Sequence, residues 1–271
     1  MDLTLSREST PALDAAITRS VAPASGGKTF VLVHGGFHGG WCWSAVATGL
    51  RSRGHTVFTP TLTGCGERSH LLSSSITLDT FIDDVANVLR WEDLHDVVLV
   101  GHSFGGNAIS GVADRMPRRI RQLVYLDAVM LEGGQTMFEV LGEEVAKDRL
   151  RSAQENGGVG IEPPPPSAFG IRDEKQARFV QARLTRHPLG TYTSRLNLAN
   201  EIGNNVPSVY VKCTDPVFSA LESSRDWVRA SGMKMLEIKT GHDAMITAPD
   251  LLVDLLDNLA AWRDAPHGSR D

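Results

Sequence analysis

Short apolar runs alternate along this chain with segments whose apolar residues recur at helical spacing. Thr29-Phe30-Val31-Leu32-Val33 is a continuous apolar run, as a parallel strand buried on both faces requires. Over residues 41–53 the apolar positions Trp43, Val46, Ala47 and Leu50 predict a helix that stops at Gly54. Residues 55–59 read as the next strand, closed by Pro60. An amphipathic helix is predicted over 78–89, with Phe81, Val85, Val88 and Leu89 on one face. Val97-Val98-Leu99-Val100 is again a strand, and a helix follows from Phe104 to about Met116-Pro117. Residues 123–126, 209–211 and 234–238 complete the strands, and 251–262 form a last helix. Strands alternating with helices imply βαβ units, right-handed crossovers and a mostly parallel sheet flanked by helices: an α/β fold.

The alternation fails between Ala128 and Pro207, where no convincing strand occurs. This stretch holds helix-like segments at 137–150 and 174–184 and the spacer Pro163-Pro164-Pro165-Pro166. A long insertion between two strands at the edge of a sheet is most simply a helical cap over the site. The expected organisation is a flexible N-terminal arm (1–28), a core of 29–128 and 207–264, a helical cap insertion (129–206) and a tail (265–271). The arm ends in the linker-like Ala22-Pro23-Ala24-Ser25-Gly26-Gly27.

Composition narrows the class. The 271 residues suit one large domain, and 41% hydrophobic with 22% charged residues is ordinary for a soluble protein. A net charge of −5 leaves no basic footprint for nucleic acid or an anionic membrane. No apolar run approaches the ~20 residues of a bilayer span. The polar N-terminus does not read as a signal peptide. Cys42, Cys65 and Cys213 are odd in number and widely spaced, which argues against disulfides and a zinc site and favours a cytoplasmic location. No motif asks for a metal or cofactor. The expected partner is a small molecule, and a homodimer is left open.

The chemistry centres on Gly101-His102-Ser103-Phe104-Gly105, placed directly between a strand and a helix. A serine raised on such a turn needs a strained backbone and neighbours nearly without side chains, which Gly101 and Gly105 supply. The following helix aims N–H groups and partial positive charge at the site. A serine nucleophile needs a base, an acid that orients the base, and oxyanion donors. Of nine histidines, His242 alone follows the last strand in the order Ser…Asp…His. His34 and His102 flank glycine-rich turns as bracing residues, and His187 is a pocket candidate. Asp215, at the end of residues 209–214, is the favoured acid, and Asp127, ending the preceding strand, is the alternative. Asp226 lies in a helix and Asp243 is adjacent to the base, which makes both poorer candidates. Gly36 N–H, in His34-Gly35-Gly36-Phe37, and Phe104 N–H are the expected oxyanion donors. Phe37, His38, His70, Phe138 and Tyr192 are expected to line the pocket, with Phe169 beside them.

Together these strings resemble the α/β-hydrolase superfamily, in particular the branch of plant methyl esterases, hydroxynitrile lyases and bacterial esterase relatives. The resemblance rests on Val31-Leu32-Val33-His34-Gly35-Gly36-Phe37-His38-Gly39-Gly40-Trp41-Cys42-Trp43, on Thr61-Leu62-Thr63-Gly64-Cys65-Gly66-Glu67-Arg68, on the serine turn, and on Gly241-His242-Asp243-Ala244-Met245. It implies an α/β-hydrolase fold with Ser103 as nucleophile, His242 as base, Asp215 as acid, and Gly36 and Phe104 as oxyanion donors. The implied activity is hydrolysis of a carboxylic ester, or a related carbamate, amide or lactone, of a small hydrophobic molecule through an acyl-serine. Two departures bear on the alternatives. The lyases of this branch carry a lysine after the catalytic histidine and a threonine in the oxyanion loop, where this chain has Asp243 and Gly35. A carboxylate at Asp243 would repel cyanide, which favours acyl hydrolysis over a lyase- or cyclase-like acid–base enzyme. A non-catalytic ligand receptor on the same fold is a further alternative.

Overall fold

The computed structural model describes residues 26–261; the predicted tail and nearly all of the predicted arm lie outside them. The strands are β1 (Thr29–Val33), β2 (Thr56–Phe58), β3 (Val97–His102), β4 (Ile120–Leu126), the two-residue β5 (Gly160–Ile161) and β6 (His187–Pro188), β7 (Ser208–Cys213) and β8 (Lys234–Ile238). Six of them form one sheet in the order β2-β1-β3-β4-β7-β8, and every pair is parallel. Strand residues alternate between two cores. Phe30, Leu32, Val98 and Val100 face one side, with α1 (Ser44–Ser52) and α10 (Pro249–Ala261) packed on them. Val31, Val33, Val97 and Leu99 face the other, under α2 (Leu78–Trp91), α3 (Gly105–Arg115) and α8 (Glu222–Ser231). Burial on both faces explains why these strands read as unbroken apolar runs. This is the α/β architecture that the alternation of strands and helices predicts.

The excursion between β4 and β7 is more broken than its sequence suggests. The segment read as one helix over 137–150 is two, α4 (Met137–Leu141) and α5 (Glu143–Glu155). Gly142 separates them at φ +87°, a left-handed value that no α-helix accommodates. α4 starts with reciprocal bonds: Thr136 N–H donates to Glu139 Oε2 (2.7 Å) and Glu139 N–H to Thr136 Oγ1 (3.3 Å). α6 (Glu174–Gln181) and the short α7 (Gly190–Thr193) follow, and β5 pairs antiparallel with β6. Strands of two residues carry no periodicity and left no trace in the pattern. Short α9 (Ala244–Thr247) follows the His242 loop.

Candidate active site

Ser103 sits between β3 and α3 with φ +51°, a backbone state that costs a non-glycine residue ~1–2 kcal/mol. The neighbours leave no space for side chains. A Cβ on Gly101 would lie 2.7 Å from Gly105 O, and one on Gly105 would lie 2.6 Å from His34 O. The strained turn is pinned to the next strand, since Ser103 N–H donates to Leu126 O (3.1 Å) and Val129 N–H donates to Ser103 O (3.1 Å).

His242, on the loop after β8, directs Nδ1 at Asp127 Oδ2, 2.7 Å away. The carboxylate fixes the proton on Nδ1 and leaves Nε2 as an acceptor. The imidazole is nearly buried and stacks on Phe218, ring centroids 4.2 Å apart. Asp127 directly follows β4 at φ +39°. Its other oxygen accepts from Arg225 Nη2 (3.0 Å) and Cys213 N–H (3.3 Å). Arg225 is itself fully buried on α8 and also reaches Glu222. Burial alone would raise the Asp127 pKa, but His242 and Arg225 outweigh it and hold the carboxyl below its usual range.

The expectation for Asp215 is corrected. Its carboxylate is 44% exposed and pairs with Arg172 at 3.1 Å, on the outside of the loop. Its N–H donates to Thr240 O (2.9 Å), which ties the backbone to the His242 loop. The structure thus brings Asp127, the alternative, against His242.

Buried histidines set the loop after β1. Leu62 N–H donates to His34 Nε2 (3.0 Å), so His34 Nδ1–H donates to Gly35 O (2.8 Å). In a trans peptide the N–H points opposite the C=O, so this grip on Gly35 O aims Gly36 N–H. The next peptide is clamped at both ends. His38 Nδ1–H donates to Gly36 O (2.7 Å), and Phe37 N–H donates to His187 Nδ1 (3.2 Å). Phe37 N–H is therefore committed, whereas Gly36 and Phe104 both line the cavity at Ser103. Burial lowers the pKa of His34 to about 4, of His102 to about 3, and of His187 well below its ordinary value, so all three are neutral. His38 differs, because both its nitrogens face acceptors: Gly36 O, and Asp243 Oδ2 at 3.0 Å. Burial opposes its charge, but Asp243 outweighs burial and raises its pKa. Asp243 is fully buried and does not line the cavity. Its charge is matched by His38, which removes the electrostatic argument against a cyanide site drawn from the sequence.

Ser103, His242, Gly36 and Phe104 line one cavity of about 190 Å³. The excursion contributes much of the remaining wall, with Met137 and Leu141 from α4, Val145 and Arg149 from α5, and Phe169 and Tyr192. Of the expected pocket residues, Phe37, Phe169 and Tyr192 line it. His38 is buried beside Asp243, His70 is exposed, and Phe138 stands behind Tyr192, ring centroids 5.5 Å apart. Sequence reasoning missed Arg225 and Arg149. An arginine on a helix reads as a solvated face, and no local pattern separates these two from their neighbours. Among the described residues, one group of metal-capable side chains comes together, His102, His242 and Asp243, with ligand atoms within 4.8 Å of one another. His242 Nδ1 already serves Asp127 and His102 Nε2 donates to His242 O (2.9 Å).

A strained serine, a histidine and a buried carboxylate gathered at one end of a parallel sheet are the hallmark of the α/β hydrolases, and the chain belongs to that family: the alpha/beta hydrolase family model matches residues 30–255. It is a hydrolytic enzyme. It is 37% identical over 243 residues to a carbendazim hydrolyzing esterase of Nocardioides sp. (strain SG-4G), covering 84% of this chain and 97% of that protein. It is 29% identical over 258 residues to methylesterase 10 of Arabidopsis thaliana, covering 86% of this chain and 91% of that one. A solved extracellular α/β-hydrolase from a Paenibacillus species, described as sharing structural and functional homology with tobacco salicylic acid binding protein 2, superposes with a TM-score of 0.76 at 26% identity. That match covers 85% of this chain and 98% of that structure. Among the described residues no helix is long and apolar enough to cross a membrane.

Proposed function

We propose that this enzyme hydrolyses carboxylic esters of small molecules through an acyl-serine, with Ser103 as nucleophile, His242 as base and Asp127 as the acid that orients it. The observation that carries this reading is the 2.7 Å bond from His242 Nδ1 to a buried carboxylate, beside a cavity that also holds the strained Ser103. His242 Nε2 takes the Ser103 proton as Oγ attacks the carbonyl carbon. Gly36 and Phe104 N–H groups receive the oxyanion, and each such donor supplies ~2.7–4 kcal/mol of transition-state stabilisation. His242 returns the proton to the leaving alcohol as the C–O bond breaks, and then activates the water that releases the acid. The excursion acts as a cap that closes the cavity over these groups.

Size and lining support a small substrate. A cavity of about 190 Å³ compares with the ~150 Å³ apolar cavity that holds benzene. The relatives named as a carbendazim hydrolyzing esterase and a methylesterase support a compact ester or a related acyl derivative. The test is kcat/KM for p-nitrophenyl acetate hydrolysis in wild type and Ser103→Ala. A loss of about 10⁴-fold or more is expected, and retention of wild-type activity contradicts the reading.

A further inference from the structure

The cavity is apolar except for the reacting groups and two donors, Arg149 and Tyr192. α5 carries three basic residues. Lys147 pairs with Glu143 and Glu144, and Arg151 pairs with Asp148. Arg149 has no carboxylate partner among the described residues. It lies one turn beyond Val145, so both face the cavity. Its guanidinium carbon stands 5.3 Å from the centroid of the Phe37 ring, another cavity wall. With one guanidinium face on an aromatic ring, the in-plane N–H edge remains open for a planar acceptor.

Tyr192 points the same way. It is 5% exposed, wedged against Phe104 (ring centroids 5.3 Å), and its hydroxyl has no protein acceptor among the described residues. A Cβ on Gly36 would stand 3.6 Å from that hydroxyl, so Tyr192 Oη borders the oxyanion loop. Burial pushes its pKa up to about 12 while Arg149 pulls the other way; the hydroxyl stays a donor at neutral pH and lies within the field of the guanidinium.

Resting on the acyl-serine reading, we propose that Arg149, together with Tyr192, selects esters carrying a second, anionic group, a carboxylate a few carbons from the scissile carbonyl. Half-esters of short dicarboxylic acids are the class that fits. Their carboxylate meets the open guanidinium edge and the tyrosine hydroxyl, and their short chain fits the about 190 Å³ available. The chain's net charge of −5 works against collecting an anion by long-range attraction, so selection falls to this local pair.

Calorimetric titration in the Ser103→Ala background, where the ligand is not consumed, tests it with monomethyl glutarate and its neutral counterpart dimethyl glutarate. The half-ester binds about tenfold or more tightly than the diester, in line with a charge-assisted hydrogen bond in a sheltered site. Adding Arg149→Met erases that preference, and Arg149→Lys, which keeps the charge without the fork, retains part of it. Equal binding of the two ligands, no binding of either, or a preference that survives Arg149→Met overturns the proposal. Wild-type turnover of p-nitrophenyl acetate by Ser103→Ala would instead sink the acyl-serine reading and leave the binding comparison to stand by itself.

Discussion

His242 Nδ1 meets Asp127 Oδ2 at 2.7 Å across the ends of β4 and β8, while Asp215, at the end of β7, pairs outward with Arg172. Asp127→Asn therefore lowers kcat/KM by roughly 10⁴-fold, as loss of the orienting carboxylate does in other triads. Asp215→Asn leaves kcat/KM near wild type. Steady-state kinetics on p-nitrophenyl acetate separate the two, and the reverse ranking contradicts the assignment.

Arg225 holds the far oxygen of Asp127 in full burial. Arg225→Met leaves that carboxylate without its cation and destabilises the fold by about 3–5 kcal/mol, read by denaturant unfolding. Arg225→Lys, which keeps the charge on Asp127, restores most of that stability. An Arg225→Met protein as stable as wild type contradicts the link.

Much of this site was legible in the chain. The β-strands that hold it are continuous apolar runs because both faces of the sheet are covered, and the glycines around Ser103 record a steric need that no other residue meets. Which aspartate meets His242 was not legible. Asp127 and Asp215 each follow a strand, and only the tertiary contacts separate them: Asp127 Oδ2 meets His242 Nδ1, while Asp215 pairs with Arg172. The existence of the excursion was legible, but its internal structure was not, for another reason. Its pieces are short, its break at Gly142 interrupts the helical period, and its cavity-lining arginine, Arg149, sits among surface charges of the same helix.

The strain at Ser103 predicts a trade of activity for stability. Ser103→Gly relieves a left-handed angle costing ~1–2 kcal/mol, against the ~0.5–1 kcal/mol entropic penalty of glycine. Ser103→Ala keeps the strain. Both variants are inactive, and Ser103→Gly melts at the higher temperature by calorimetry. A lower melting point for Ser103→Gly contradicts the strain argument.

Stability falls as the pH drops below about 6.5. His34, His102 and His187 have lowered folded pKa values, so below pH ~6.5 the unfolded chain binds protons that the fold refuses. Each adds a slope of at most about 1.4 kcal/mol per pH unit. For His34 the slope ends near its folded pKa of about 4. His38 works in the opposite direction: its raised pKa gives stability that is present below pH ~6.5 and lost as pH rises through the folded value. Three groups against one leave a net loss toward acid. Thermal melts between pH 8 and 5 check this, and a melting temperature that is flat or rises toward pH 5 contradicts it.

The acyl-serine is tested most directly by mass. Incubation with a fluorophosphonate, followed by intact-protein mass and peptide mapping, is expected to show one adduct, on Ser103. Asp127→Asn should slow its formation and Ser103→Ala should abolish it. An unlabelled wild type, or an adduct that persists in Ser103→Ala, contradicts the account.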